Sequence, residues 1–406
     1  MWAAGRRRTT ALLLTALALF AAACGAVDAD PPAQGPALPA DAPFTHPGVL
    51  VDRAQLDAVR EHVTAGKQPW LKAYLAMRDS RYGSYRYRAE PYGTVVCPAG
   101  DLDGRGCAEE RADALAAYTQ ALLFTVTGKQ RHAGKAREIM DAWSARLCRH
   151  TGDNAALQAG WTGSVWARAA EIVRHTRGGG WPAERVRRFE GMLRTAHLPE
   201  VAATDPDFTG SWDLVATDAV ITIAVFLDDR RAFGHALERF RERVPAYFYL
   251  EKDGPAPLTV PGSGLATPRR MTAYWSGQAT YRDGVAQETC RSFRHVGASL
   301  AATAHIAETA RHQGVDLYGE VEDRLTAALA LHARHELGGR TPAWLCGGRV
   351  EGRLGPHLEV ALNHLEGRLG ASLPAARKLA VRTRPAGTDD LFTAWETLTH
   401  AGNPGR

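Results

Sequence analysis

From Asp52 onward, apolar residues recur three and four positions apart in segment after segment, and the period-two alternation of a strand is scarce. Asp52 can cap a helix that carries Leu56, Val59 and Val63 and stops at Gly66. Trp70, Leu71, Tyr74 and Leu75 fall on a second helix; Leu115, Tyr118, Leu122 and Val126, ahead of Gly128, on another; Ile139, Met140 and Trp143 on the next. The rhythm continues over residues 165–172, 186–193, 212–227, 233–244, 285–309, 321–337 and 391–398. Helices joined by short Gly, Pro or Asp connections bury their apolar stripes by pairing antiparallel and stacking side by side, and such pairs can close into a ring around a groove. The expected fold is all-α, an (α/α) toroid or incomplete barrel of antiparallel helix pairs, with residues 48–402 forming one domain. The stretch from Arg340, with Gly347, Gly348, Gly352, Gly355 and Pro356, breaks the rhythm and is expected to cover one end of the groove.

The N-terminus carries a different signal. Arg6, Arg7 and Arg8 precede an apolar run from Ala11 to Ala23 that is too short to span a bilayer comfortably, so residues 1–24 read as an export signal. Cys24 stands where the lipid-carrying cysteine of a bacterial lipoprotein would be, with Ala21 in place of the usual leucine; the plainer alternative is an ordinary cleaved signal. Residues 25–47, rich in Ala, Pro, Asp and Gly, read as a flexible tether. The expected location is outside the cytoplasm, as a cell-surface lipoprotein or a secreted protein, with no membrane contact except through a lipid anchor.

In an exported chain, Cys97 and Cys107 bracket a Pro/Gly/Asp-rich loop that a disulfide can close. Cys148, Cys290 and Cys346 then leave at least one thiol over. Neither CxxC nor Cys/His metal spacing occurs, so no metal and no cofactor are expected. The formal charge of +5 suits an anionic polymer; no run of five or six Lys/Arg points to nucleic acid. The protein is expected to act as a monomer.

The densest polar constellation lies between Trp275 and Tyr318. Gln287, Glu288, Arg291, Arg294 and His295 are spaced to share one helical face, bringing amide, acid, guanidinium and imidazole together. Such stripes are ordinarily solvated faces. Here the stripe mixes residue types, a long Gly/Pro/Thr-rich stretch precedes it, and Tyr274, Trp275, Gln278 and Tyr281 sit just ahead. Plainer roles exist for each member. Arg291 can pair with Glu288 three residues back, His295 can be a core histidine, and at most one of Trp161, Trp166 and Trp212 is expected to stack on a sugar.

Several motifs together resemble the alginate lyase superfamily of polysaccharide lyases, in its actinobacterial branch. They are YGTVVC at 92–97, AWSARL at 142–147, LQAGWTGSVWARAAEI at 157–172, GSWDL at 210–214, FLDDRRAF at 226–233, QETCRSFRHV at 287–296, AETARHQGVDLY at 307–318 and AWETLTHA at 394–401. The resemblance implies an (α/α) toroid that cleaves a uronic-acid polysaccharide, of alginate or polyglucuronate type, by β-elimination. That reaction needs the carboxylate beside C5 neutralised before a base removes the C5 proton, and an acid for the leaving oxygen. The resemblance makes Arg291 the neutralising arginine and His295 the histidine on the next turn. Gln287 and Glu288 bind sugar hydroxyls or orient the arginine, and Trp212, Asn363 and His364 contribute to substrate binding.

The chain departs from the pattern in places. Ser211 replaces an amide before the tryptophan, Ala298 replaces a tyrosine seven residues after the arginine, and Leu362 and Leu365 flank Asn363-His364 where tyrosines are common. Tyr281, as a catalytic group, and Tyr274, as a substrate-binding one, are the local tyrosines that could compensate. Two alternatives stand beside a lyase. One is a degenerate lyase-fold protein that holds anionic polysaccharide at the cell surface. The other is an α-toroid glycoside hydrolase, with Glu288 paired to Asp213 or Asp283 as its two carboxylates.

Overall fold

The computed structural model describes residues 43–203, 205–338 and 340–402. The expected export signal, Cys24 and most of the expected tether lie outside the described residues. The helices are α1 (Arg53–Thr64), α2 (Trp70–Asp79), α3 (Cys107–Thr127), α4 (Gln130–Ser144), α5 (Ala155–His175), α6 (Ala183–Met192), α7 (Leu198–Ala202), α8 (Gly210–Phe226), α9 (Arg230–Tyr247), α10 (Pro268–Tyr274), α11 (Phe293–His312), α12 (Leu317–Glu336), α13 (Glu359–Leu365), α14 (Pro374–Thr383) and α15 (Glu396–His400). The strands are minor: β1 (Gly48–Val49) pairs antiparallel with β2 (Val51–Asp52), and β3 (Thr94–Val96) parallel with β4 (Arg149–Thr151). No helix among the described residues is long and apolar enough to cross a membrane.

Local chemistry sets several boundaries as the sequence predicts. Asp52 caps α1 in a reciprocal capping box with Gln55. Gly128 ends α3 in the left-handed conformation, its N–H donating to Phe124 O at 2.8 Å. Inner helices α3, α5, α8 and α11 pack one on the next, and α11 continues through α13 and α15 back to α1. An outer layer of α4, α9 and α12 backs them. The two layers differ in composition. α8 carries only Asp213 and Asp218 among apolar and small residues and is buried almost all round, whereas α4, α6 and α9 are amphipathic with a polar outer face. This is the α/α toroid of antiparallel helix pairs.

Three boundaries differ from expectation. The helix expected over 285–309 begins at Phe293, because residues 285–290 are bound elsewhere: Tyr249 N–H donates to Val285 O, Gln287 N–H to Tyr247 O, and Cys290 is disulfide-bonded to Cys346. The helix expected over 391–398 begins at Glu396, since the Asp389 carboxylate accepts from the N–H groups of Leu391, Phe392 and Thr393 and holds them in a turn. The last residues of the span expected to be a tether are packed on the domain. Phe44 is buried edge-on against Phe233 beneath the Arg230 guanidinium, and His46 bonds to Glu171.

The Cys97–Cys107 disulfide is present, but the expected spare thiol is not: no described cysteine is free. Cys346 brings the 340–358 segment against the start of α11, where Phe293 N–H donates to Glu351 O.

Inside the ring the core is polar at its centre. Arg168 of α5 donates to Asp218 of α8 at 2.6 Å, and His305 of α11 bridges Asp218 at 3.2 Å and Glu396 of α15 at 2.7 Å. Arg168 also donates to Phe392 O, and all four side chains are buried. Burial and Arg168 push His305 down, but Glu396 and Asp218 outweigh them and hold its pKa above the ordinary value. Removing one member leaves a buried charge uncompensated. Arg168→Met is therefore expected to destabilise the protein by about 3–5 kcal/mol, read as a lower denaturant midpoint in equilibrium unfolding.

Candidate active site

The site is built where the first turns of α8 and α11 meet the last residue of α9. A helix N-terminus exposes backbone N–H groups that need acceptors. For α8 these come from the QET run: Gly210 N–H donates to Gln287 Oε1 at 2.7 Å and Ser211 N–H to Glu288 Oε2 at 3.1 Å. Gln287 is held from behind by its Nε2 donating to Tyr274 O at 2.9 Å. Tyr247 OH donates to Glu288 Oε2 at 3.1 Å, and the ring packs so close to α8 that a Cβ on Gly210 would lie 2.0 Å from it. Only glycine allows that approach.

Glu288 thus spends one oxygen on α8 and Tyr247. The other, Oε1, takes Arg291 at 2.6 Å. Glu288 is fully buried while the Arg291 side chain is 43% exposed, so the guanidinium is fixed at its root and open to solvent on its outer side. His295, in the first turn of α11, is half-buried, and its Nδ1 is buried without a hydrogen-bond partner. Burial lowers its pKa, with Arg291 and Arg294 reinforcing and Glu288 opposing, so the imidazole is neutral at ordinary pH and can accept a proton.

The structure therefore brings Gln287, Glu288, Arg291 and His295 together, but not as one helical stripe. Gln287, Glu288 and Arg291 lie in the turn before α11, whose start is capped by Ser292. The expectation that position 298 follows Arg291 along one helix face falls with that, although Ala298 is on α11 and partly exposed, one turn beyond His295. Gln287 and Glu288 are buried and internally bonded, a geometry that orients Arg291 and leaves sugar hydroxyls out of their reach. Trp212 is half-buried in the first turn of α8, edge-on to Phe208, while Trp161 and Trp166 are core.

Other expected members lie apart. The Tyr281 ring packs on Tyr249 and Trp275 with its hydroxyl bonded to Thr272, and none of these contacts involves Glu288, Arg291 or His295. The Tyr274 hydroxyl is taken by Arg243, at 3.1 Å, and by Phe208 O. His364 stacks at 3.7 Å on Tyr318, whose hydroxyl donates to Ala304 O. Ala304 is about 14 Å beyond His295 along α11 at 1.5 Å per residue, so His364 packs well beyond the first turn of that helix, away from His295. Asp213 is buried between Arg239 and Arg243, both at 2.5 Å, so neither it nor Glu288 is free to serve as a hydrolase carboxylate. Tyr247, which the sequence reading missed, is 41 residues from Glu288 and carries no local signal.

Residues 78–258 match the family model described as alginate lyase. No curated protein sequence matches the chain. Among solved structures, alginate lyase A1-III from Sphingomonas species A1 is 16% identical with a TM-score of 0.55, over 89% of this chain and 99% of that one. A variant of alginate lyase A1-III complexed with tetrasaccharide is 16% identical with a TM-score of 0.60, over 88% and 99%. An alginate lyase from Bacteroides ovatus is 11% identical with a TM-score of 0.55, over 85% and 97%. At these identities the likeness is one of fold.

The close approach of Tyr247 to α8 is testable without a substrate. Gly210→Ala is expected to cost about 1–3 kcal/mol, the range for overpacking a filled interior, measured by denaturant unfolding.

Proposed function

Because the chain belongs to the alginate lyase superfamily, we propose that it is a polysaccharide lyase that cleaves a uronic-acid polymer, of alginate or polyglucuronate type, by β-elimination. The observation that carries this reading is the Arg291 guanidinium, anchored on buried Glu288, open to solvent and next to a neutral histidine. A carboxylate paired with Arg291 loses the negative charge that otherwise opposes carbanion formation at C5. His295 then takes the C5 proton. The C–H electron pair becomes the C4–C5 double bond, the C4–O bond breaks, and the leaving oxygen takes a proton from His295 or from water. The N-terminus of α11 adds partial positive charge on the same side.

The tyrosines suit the proton transfer less well. Burial raises the hydroxyls of Tyr247, Tyr274 and Tyr281 above their ordinary pKa, and those of Tyr247 and Tyr274 are already engaged. One observation favours a second reading, a slow or binding-only protein: at Ala298 there is no hydroxyl beside His295 to protonate the leaving group.

Incubation with alginate and polyglucuronate should produce the ultraviolet absorbance of a conjugated unsaturated uronate, which hydrolysis does not give. Arg291→Ala should lower kcat/KM by about two to four orders of magnitude, with little rescue by Arg291→Lys, since a point charge does not reproduce the planar fork. Unchanged kcat/KM in Arg291→Ala would rule out the assignment. The base is the deprotonated form of His295, so kcat/KM should fall as pH drops through its lowered pKa, placing the acidic limb below pH 6.5. His295→Ala should abolish that limb. Ala298→Tyr should raise the rate about tenfold or more if the wild type lacks only its proton donor; a loss would mean that His295 and water suffice.

A further inference from the structure

Away from this site, the last turn of α5 carries Glu171 and His175, four residues apart on one face, and the segment before β1 folds back to set His46 against them. Glu171 is fully buried. Its Oε1 accepts from Gly48 N–H at 3.1 Å and bonds to His46 Nδ1 at 2.6 Å, but its Oε2 is buried without a hydrogen-bond partner. His175 Nε2 is likewise buried and unpartnered, 3.8 Å from that free oxygen. The two imidazoles are stacked at 4.1 Å, and the ligand atoms of His46, Glu171 and His175 all lie within 4.8 Å of one another. The outer nitrogen of His46, Nε2, bonds to Asp228 Oδ1 at 3.1 Å in the turn between α8 and α9.

We propose that His46, Glu171 and His175 form a binding site for a divalent transition metal of the zinc type, with Asp228 orienting His46 from behind. Two imidazoles and a carboxylate are a zinc donor set, and a carboxylate on the far nitrogen of a ligating histidine is the usual support that fixes its tautomer. Zinc bonds of 2.0–2.2 Å place neighbouring donors about 3.4 Å apart, so the free pair closes onto an ion by a shift of a few tenths of an ångström. His46 gives up its contact with Oε1 and turns Nδ1 to the metal. The side chains of His46 and His175 are 14% and 23% exposed, which leaves a path for the ion and room for water as a fourth ligand. Sequence spacing gives no hint of the site, because His46 and Glu171 are 125 residues apart.

The second His/Glu cluster, Glu110 with His150 and His197, is a weaker candidate. Both oxygens of Glu110 are already occupied, by Thr162 and His197 on one and by His150 and Gln158 on the other. The proposed role of the metal is to clasp the N-terminal segment to α5 and the α8–α9 turn.

The test uses the untagged chain, stripped with a chelator and dialysed against zinc chloride, with the retained metal measured by mass spectrometry and the ligand field read from the visible spectrum of the cobalt(II) form. One zinc per chain, a tetrahedral cobalt spectrum and a zinc-dependent rise in unfolding temperature are expected. His175→Ala should weaken binding about tenfold or more, and Asp228→Asn, at an exposed position, should weaken it without disturbing the metal-free fold. Wild-type protein that retains no metal would overturn the proposal. So would unchanged affinity and spectrum in both variants, which would place the ion elsewhere.

Discussion

Arg168, Asp218, His305 and Glu396 meet at the centre of the ring, and each comes from a different inner element. Arg168 offsets Asp218 directly, and the two carboxylates raise the pKa of His305 between them, so the buried charges are compensated within the cluster. The desolvation cost of such a cluster is recovered only when every partner is in place. Apolar packing alone would tolerate sliding of one smooth helix on another; a charge network with fixed partners does not, and it sets the register of α5, α8, α11 and α15. Glu110 with its two histidines and Glu308 with Arg311 and Arg368 repeat the device elsewhere in the ring.

Register matters because Arg291, the arginine of the proposed site, is not positioned by its own helix. Arg291 lies ahead of α11, and its direction is set by Glu288, which is itself fixed by the N-terminus of α8 and by Tyr247 at the end of α9. One buried carboxylate therefore caps a helix, receives a phenol and orients a guanidinium. The Cys290–Cys346 bond and the Phe293–Glu351 hydrogen bond pin the same turn from the other side. A guanidinium anchored in this way loses little freedom on meeting a carboxylate, which makes it a better electrostatic partner than an unanchored surface arginine.

Much of this was legible in the residues. The helical period, the cap at Asp52, the stop at Gly128 and the Cys97–Cys107 bridge are short-range features, and the residues that make them are close in sequence. The grouping of Gln287, Glu288, Arg291 and His295 was legible for the same reason, and the Glu288–Arg291 pair is only three residues apart. What failed was direction. Spacing that fits a helix was read as a helix over 285–292, where strand-like pairing with Tyr247 and Tyr249 and a disulfide prevail. Loop tyrosines were assigned to a face they do not reach, since Tyr281 is drawn into an aromatic cluster with Tyr249 and Trp275. Asn363 and His364 were read as part of the site, yet α13 sets His364 against Tyr318, which bonds to α11 at Ala304, well beyond the first turn that carries His295.

The sequence by itself determined the all-helical layers, because apolar residues recurring three and four positions apart act through local geometry that each segment carries alone. It also determined which chemistry is available, an arginine and a histidine without a tyrosine at position 298. The tertiary structure decided which groups face solvent and which are spent on the fold. Glu288 serves α8 across 77 residues, Arg168 meets His305 and Asp218 across the ring, and His46 reaches Glu171 from a segment that composition alone marks as a tether. Those pairings depend on the closure of helices onto one another, and a buried polar group takes whatever partner that closure brings within hydrogen-bond reach.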